Sequence, residues 1–334
     1  MILVTGGTGL VGSHLLYQLT QQNEPIRAIY RNKNTLTKVA QVFGYYTDTP
    51  EQQLKKIEWV QADINDLPAL EIAFEEITTV FHCAAFISFE PKHWKQLQKI
   101  NIEGTANIVN ISIDNKIKKI VYVSSIAAVS PATGSNIAVE TNPWINTDVT
   151  VYARSKYLAE LEIWRAVQEG VPVAVLNPGI IIGPGFWTSG SGKLFTTAAK
   201  SIRYAPPSGT GFITANDVAK LLLKLQNTSH VNQRFIAVSE NISYQKALTC
   251  IAEALKTKAP KKVLTSWQLQ LLWRADWLWC LLTKRKRTLS KNNATGLLKT
   301  TIYDNSKAKE LLSFTFEPIV PALQRTAAFF KMEN

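Results

Sequence analysis

Cysteine is scarce: Cys83, Cys250 and Cys280 are the only three among 334 residues. None belongs to a Cys-x-x-Cys pair, and the four histidines fall in no zinc-ligand spacing. A disulfide scaffold and a structural metal site are therefore excluded. No apolar run reaches the ~20 residues that cross a bilayer, and there is no internal repeat or low-complexity tract. Charged residues make up 19% of the chain against 46% hydrophobic. That balance excludes a disordered chain and suffices for one large α/β domain or two smaller ones. No leader is expected either. Met1-Ile2-Leu3-Val4-Thr5-Gly6 reads as a buried strand entering a glycine turn, with no basic start, apolar stretch and cleavage site ahead of it. The expectation is a cytoplasmic protein with reduced thiols.

Acidic residues thin out toward the end of the chain. Residues 251–334 hold 15 Lys+Arg and 6 Asp+Glu, which accounts for +9 of the formal +12. The basic peak is Lys284-Arg285-Lys286-Arg287, and the stretch from Trp267 to Leu282 before it carries four of the nine tryptophans. Arg274 and Asp276 make that stretch too polar to span a bilayer. Two readings stay open: a helix covering a hydrophobic pocket with a solvated basic loop behind it, or a membrane-surface contact through 267–287. No nucleic-acid motif accompanies the basic run, so nucleic acid is not expected as a partner.

β-rich runs at 1–5, 26–30, 57–60, 78–82, 119–124, 172–177 and 233–238 alternate with helical stretches at 10–21, 67–76, 94–114, 151–168 and 214–226. Alternation of this kind predicts an α/β fold, a doubly wound, Rossmann-type parallel sheet with helices on both faces. Ile120-Val121-Tyr122-Val123 and Val173-Ala174-Val175-Leu176 are apolar throughout, as strands covered on both faces should be. After residue 178 the regularity degrades at Pro178, Pro184, Pro206 and Pro207. The predicted division is a dinucleotide-binding domain over 1–178, its sheet completed by 211–240, and a smaller mixed substrate-binding and lid part over 179–334. A Gly/Ser/Thr-rich loop near 186–210 is expected to shape the pocket.

Thr5-Gly6-Gly7-Thr8-Gly9-Leu10-Val11-Gly12 follows the first strand and opens the first helix. Gly7, Gly9 and Gly12 satisfy G-x-G-x-x-G, and Gly6, Gly9 and Gly12 satisfy G-x-x-G-x-x-G. Glycines admit a pyrophosphate close to the backbone, and the helix N-terminus offers its free N–H groups. Gly6, Thr8, Gly9, Leu10, Val11 and Gly12 are thus expected to touch a dinucleotide. An NAD site usually places an acid at the end of the second strand; here Ile26-Arg27-Ala28-Ile29-Tyr30 is followed by Arg31, with Lys33 and Lys38 nearby. A guanidinium suits a 2′-phosphate, so NADP(H) is favoured over NAD(H). Asp63 and Ile64 are placed to meet the adenine. Cys83, Ala84 and Ala85, small residues after the fourth strand, leave space for ribose and pyrophosphate. His82 and Cys83 themselves read as packed strand residues rather than catalysts.

Tyr152-Ala153-Arg154-Ser155-Lys156 begins a helical segment, so Tyr152 and Lys156 share one face. An ammonium beside a phenol lowers a pKa that starts near ~10, which suits acid/base work near neutral pH. Upstream, Ser124 and Ser125 end the strongest strand, where a hydroxyl can steady charge developing on a substrate oxygen.

With those residues in place the chain resembles the extended short-chain dehydrogenase/reductase superfamily, also called the NAD-dependent epimerase/dehydratase family. Matching pieces run in family order: Thr5 to Gly12, Ala62 to Ile64, His82 to Ala85, Asn101 to Thr105, Val123 to Val129, Tyr152 to Lys156, Asn177 to Gly185, and a later segment from Phe212 through Asp217. The resemblance implies Tyr152 as catalytic acid/base, Lys156 on the nicotinamide ribose, Ser125 as the catalytic serine with Ser124 as its fallback, and Asn101 in support of the lysine. It also implies that Pro178, Gly179, Ile180 and Ile181 pass near the nicotinamide. In family members the helices holding Asn101 and Tyr152 often pair into a dimer's four-helix bundle; Leu158, Leu161 and Trp164 would serve a homodimer or pack on the sheet.

Departures narrow the branch. Ser124-Ser125-Ile126-Ala127 lacks the Thr-Asp-Glu of sugar-nucleotide dehydratases, so dehydration is not expected. Asn177 stands where many members have arginine, and Arg31 where many NAD-using epimerases have an acid. The chain is similar to the dihydroflavonol-reductase and hydroxysteroid-dehydrogenase branch, which handles alcohols and ketones on apolar molecules. The expected function is an NADP(H)-dependent reductase or dehydrogenase for a hydrophobic small molecule, with Phe86, Ser88, Trp187 and Phe195 as candidate substrate contacts. The alternatives are an NAD-dependent nucleotide-sugar epimerase and a non-catalytic cofactor-binding or assembly protein.

Overall fold

A computed structural model of the chain describes residues 1–147, 149–283 and 291–333. The basic peak Lys284–Arg287 lies outside the described residues. Strands run in the order β1 (Ile2–Thr5), β2 (Ile26–Tyr30), β3 (Ile57–Gln61), β4 (Thr79–His82), β5 (Lys119–Val123), β6 (Ile137–Ala138), β7 (Val173–Pro178) and β8 (Ile180–Ile182). They continue with β9 (Tyr204–Ala205), β10 (Gly209–Thr214), β11 (Gln233–Ala237), β12 (Glu240–Ser243), β13 (Lys262–Val263) and β14 (Ile302–Tyr303).

Seven of these form one wholly parallel sheet, ordered β11-β7-β5-β4-β1-β2-β3. The chain builds outward from β1 to β3, then returns to β4 and builds the other way. The reversal opens a crevice beyond the carboxyl ends of β1 and β4, where doubly wound sheets bind ligands. β1, β5 and β7 are apolar almost throughout because helices cover both faces. On one face lie the helices Leu10–Leu19 and Ala215–Asn227, which bury Leu15, Leu16, Leu222 and Leu225 with Val4, Val121 and Leu176 of the sheet. On the other face the helix Val151–Gln168 packs Ala159, Ile163 and Ala166 against Ile120, Tyr122 and Val175. Thr150 caps that helix by accepting from the Ala153 N–H at 3.1 Å, a bond whose loss costs about 1 kcal/mol. The cap fixes where Tyr152 begins its turn.

Of the stretch 211–240, only β11 joins the large sheet. β10 pairs with β8 in parallel and β12 in antiparallel to make a separate three-stranded sheet. The cause is local: a Cβ on Gly179 would sit 2.4 Å from the Gly211 carbonyl oxygen. The bare backbone there lets β8 leave the line of β7 and pair alongside β10. A second core, built around Trp187, Phe195, Phe212, Leu248, Ile251, Leu323 and Phe330, fills the C-terminal part.

Two expectations about aromatic residues are corrected here. Phe195, expected at the substrate, has no exposed surface and packs edge-on against Trp187 as part of the second core. Trp187 is enclosed in the same cluster and donates its indole N–H to Glu333 at 2.7 Å. Trp164, a candidate for a dimer face, packs against the sheet cluster, and Leu161 is the large apolar side chain of that helix left exposed.

Candidate active site

The glycine turn forms the predicted cradle. Gly6 has φ +68°, a conformation that glycine adopts freely, and a Cβ there would lie 2.6 Å from the Ala84 nitrogen. At Gly12 a Cβ would fall 2.2 Å from the Gly6 carbonyl oxygen. Turn, first helix and the Cys83–Ala84 backbone can close together only without side chains at these points. Gly9 caps the helix with no side-chain bond to it. The first N–H groups of the helix, those of Leu10, Val11 and Gly12, therefore lack carbonyl partners and carry the positive end of the helix dipole toward the crevice. Thr8 is half-buried at the lip. Glycines without Cβ, an uncapped helix end and a switch-point crevice fit a dinucleotide pyrophosphate.

The adenosine end is less built. Arg31 projects at the end of β2 with 69% of its side chain exposed, 3.8 Å from the Asp63 carboxylate. Asp63 also accepts from the Asn65 N–H at 2.9 Å, which holds the turn after β3. An acid thus does stand near this edge, supplied by β3 rather than β2. Ile64 is buried against Gly104, so it offers its backbone rather than its side chain. Lys38 lies on the helix Leu36–Phe43, exposed, 5.8 Å from the Phe186 ring.

His82 is fully buried beneath the crevice. Its ring links Thr5 at 2.7 Å and Thr105 at 3.0 Å. Thr105 donates onward to the Asn101 carbonyl at 2.6 Å, and the Ala84 N–H donates to Thr5 at 3.3 Å. Because Thr105 spends its own proton on Asn101, the His82 Nε2 carries a proton and donates it to Thr105. Burial pushes the His82 pKa down to about 3 and the Cys83 thiol up to about 12. Both groups keep one protonation state across the physiological range.

Ser125, Tyr152 and Lys156 converge at the carboxyl end of β5. The Tyr152 phenol is buried, which pushes its pKa up to about 12, while a hydrogen bond with Ser125 works the other way. Lys156 Nζ donates 2.8 Å bonds to the Tyr122 hydroxyl and to the Val123 carbonyl. Burial pushes the Lys156 pKa down to about 7, with the Glu160 carboxylate partly opposing. This corrects the expected coupling: the ammonium is engaged by Tyr122 and Val123, and the phenol stays a protonated acid.

Asn101 lies in a π-helical turn, Gln98–Glu103, a distortion common at functional sites. Its amide accepts from the Phe86 N–H at 2.7 Å and donates to the Phe86 carbonyl at 3.0 Å and to Ser155 at 2.9 Å. It therefore ties the segment after β4 to the helix of Tyr152, and it does not bond Lys156 directly. Ser88 hydrogen-bonds His93 at 2.7 Å within that segment. Phe89, 46% exposed, packs edge-on against Tyr152 at 5.4 Å between centroids. Pro178 ends β7 and is buried, and Ile180 and Ile181, which open β8, are half-buried.

Three participants had gone unread. Tyr122 looked like a packing residue in an apolar strand. Phe89 had no motif around it. Glu160, 2% exposed, accepts from Ser124 at 2.6 Å and Asn177 at 3.0 Å and pairs with Arg234 at 3.3 Å. The spacing carried a signal for Glu160, since Tyr152, Lys156 and Glu160 repeat at i, i+4 and i+8 on one helix face. Arg234 in turn donates to the Glu140 and Asn142 carbonyls.

Comparison with known proteins places this geometry. The model of the NAD dependent epimerase/dehydratase family matches residues 2–234. A Synechocystis sp. protein with the provisional name dihydroflavonol 4-reductase is 28% identical over 98% of this chain and 94% of its own length. Sterol demethylase protein B of Methylococcus capsulatus is 25% identical over 78% of this chain and 76% of its own. The crystal structure of gox2253 superposes with a TM-score of 0.83 at 22% identity, covering 100% of this chain and 98% of that one. The family model's match over most of the chain has one reading: the chain belongs to the NAD dependent epimerase/dehydratase family and is an NAD(P)-dependent oxidoreductase of that family.

Proposed function

We propose that the protein is an NADP(H)-dependent reductase that converts a ketone on an apolar small molecule to an alcohol, with Tyr152 as the proton donor. The observation that carries this reading is the buried Tyr152 phenol, bonded to Ser125 and held protonated up to about 12. An alkoxide forming on the substrate is a stronger base than the Tyr152 phenolate, so the phenol passes its proton to it without prior ionisation. Ser125 steadies the oxygen as charge develops. Lys156 supplies positive charge at the ribose side, and Asn101 positions the Phe86 segment. A bound nicotinamide dinucleotide supplies the hydride. Gly6, Thr8, Gly9, Leu10, Val11 and Gly12 would hold its pyrophosphate, Asp63 and Ile64 its adenine, Cys83 to Ala85 its ribose, and Pro178 to Ile181 its nicotinamide.

Arg31 supports a 2′-phosphate, because an exposed guanidinium is free to turn from Asp63 to a dianion. Phe86 and the exposed Ile87 and Phe89 give the mouth an apolar rim, which supports an apolar substrate. The names of the Synechocystis and Methylococcus relatives, a dihydroflavonol reductase and a sterol demethylase protein, point toward the same class. A lipid-soluble substrate also fits a protein that works at a membrane surface through its exposed helix Ser266–Thr283.

The test starts with native mass spectrometry of freshly purified protein, then a panel of apolar ketones with NADPH. An empty protein that takes up NADPH and reduces a ketone supports the reading. Tyr152→Phe should then lower kcat by about 100-fold or more with NADPH affinity unchanged. Near-stoichiometric bound NAD⁺, with turnover of a nucleotide sugar and no ketone, would reject it in favour of an epimerase that regenerates its cofactor.

A further inference from the structure

The helix Ser266–Thr283 turns its apolar side outward. Leu269, 1% exposed, begins an inner stripe that continues through Trp273, Asp276 and Cys280 at i+4, i+7 and i+11, all half-buried. That stripe faces the protein, and the following helix Lys291–Gly296 packs alongside with Ala294 fully buried. On the opposite side Trp267, Leu271, Trp277, Leu278, Trp279 and Leu281 are each 51% to 65% exposed. At about 100° per residue, the outer apolar positions spread over roughly 200° of the helix. Arg274 is the one charged residue in that arc. A water-facing helix normally shows the reverse pattern, and this much contiguous exposed apolar surface marks an interaction site.

The surrounding charge selects the occupant. Residues 254–303 contain eleven Lys and Arg and a single acid, Asp276. Among the described ones, Lys256, Lys258, Lys261, Lys262 and Arg274 are exposed. A second copy docked through this face would bring two cationic stretches together, whereas an anionic lipid surface is drawn to them. Tryptophans at the level of lipid headgroups suit such a boundary. Among the described residues no helix is long and apolar enough to cross a membrane, so the helix can lie on a bilayer but not span it. An isolated interfacial helix needs a polar face for water; this one turns that side to its own protein instead.

We propose that the helix Ser266–Thr283 seats the enzyme on the surface of an anionic bilayer, its outer apolar face entering the headgroup region and the flanking cations meeting acidic lipids. The seat does not depend on which substrate the active site takes.

The test is co-sedimentation of the full-length protein with vesicles of phosphatidylcholine, with or without phosphatidylglycerol. Binding should require phosphatidylglycerol and weaken as salt rises, since exposed charges are screened. The triple variant Trp267→Gln, Leu271→Gln, Leu278→Gln removes only exposed side chains. It should bind those vesicles about 100-fold less tightly, with an unchanged circular dichroism spectrum and unchanged NADPH binding. No binding to the phosphatidylglycerol vesicles overturns the proposal, and so does equal binding of the triple variant. Equal binding to phosphatidylcholine alone overturns the assignment to an anionic surface. A dimer in analytical ultracentrifugation that the triple variant dissociates, in a protein that ignores vesicles, overturns it in favour of self-association.

Discussion

Lys156→Met should abolish turnover and make the stability difference from the wild type depend on pH, most favourable to the variant at low pH. The ammonium is 1% exposed, and burial lowers its pKa from 10.5 to about 7. For a base whose folded pKa is depressed, the sign is a penalty: below pH 7 the native state holds a charge that it binds less readily than the unfolded chain does. The full penalty is near 5 kcal/mol, at 1.36 kcal/mol for each pH unit of difference. As pH rises from 7 toward 10.5 it fades, because the native lysine is already neutral while the unfolded chain is losing its proton. Between pH 6 and pH 9 the lysine contributes a change of about 2–3 kcal/mol. Methionine fills similar space without the charge but leaves the Tyr122 hydroxyl and Val123 carbonyl short of a donor, each costing about 1–3 kcal/mol. That cost does not vary with pH. Denaturant unfolding of both proteins across pH 6–9 should therefore show the wild type gaining on the variant by about 2–3 kcal/mol as pH rises. A difference that is flat across that range would refute the reading of Lys156 as a buried, destabilised ammonium. Activity lost at every pH alongside the expected slope would show a site that trades stability for function.

Two further substitutions test separate parts of the site. Arg31→Glu removes one charge-assisted contact worth about 1.5–3 kcal/mol, so NADPH should bind about 10- to 100-fold more weakly while NADH changes little; equal losses for both cofactors, measured by fluorescence titration, would reject the 2′-phosphate assignment. Glu160→Gln leaves Arg234 facing a neutral amide in a buried setting and should cost about 3–5 kcal/mol in urea unfolding. It should also move the Lys156 pKa further down, because the carboxylate now favours the charged lysine; an unchanged pH–rate profile would show that Glu160 does not act on the lysine.

The sheet and the cradle were legible because each rests on a local rule. Strands covered on both faces, such as Ile120–Val123, must be apolar along their whole length, and a glycine turn between strand and helix has few other uses. Tyr152 and Lys156 were legible through helical spacing. What escaped was set by contacts distant in sequence. Nothing around Phe89 shows that it will meet Tyr152, since a loop of 63 residues' separation brings them together only after the sheet has formed. Phe195 followed a strand-ending motif and looked like a pocket residue, but its fate was decided by Phe330 and Trp187, which close a second core over it. The departure of β8 from β7 depended on Gly179 meeting Gly211, a fit between two backbones that neither segment reveals alone. The coupling of Lys156 to Tyr152 failed for a similar reason: helical spacing brings the two onto one face, but Tyr122 on the adjacent strand takes the ammonium.

Asn177 explains how the site holds a buried carboxylate in place. Its amide nitrogen donates to Glu160 and to the Ser125 carbonyl, each at 3.0 Å. That orientation leaves Oδ1 buried without a partner, at a cost of about 1–3 kcal/mol. Flipping the amide would set an oxygen against the Glu160 carboxylate and the Ser125 carbonyl, which is worse. An arginine at 177 would bring its own charge to this point. Here the cation comes from the neighbouring strand, where Arg234 on β11 reaches Glu160 at 3.3 Å and is itself fixed by the Glu140 and Asn142 carbonyls. The carboxylate so held stands one helical turn from Lys156 and favours its charged form. Ser124, Asn177 and Arg234 thus act through one carboxylate, and the edge strand of the sheet, far from any catalytic motif in sequence, takes part in setting the charge of the lysine.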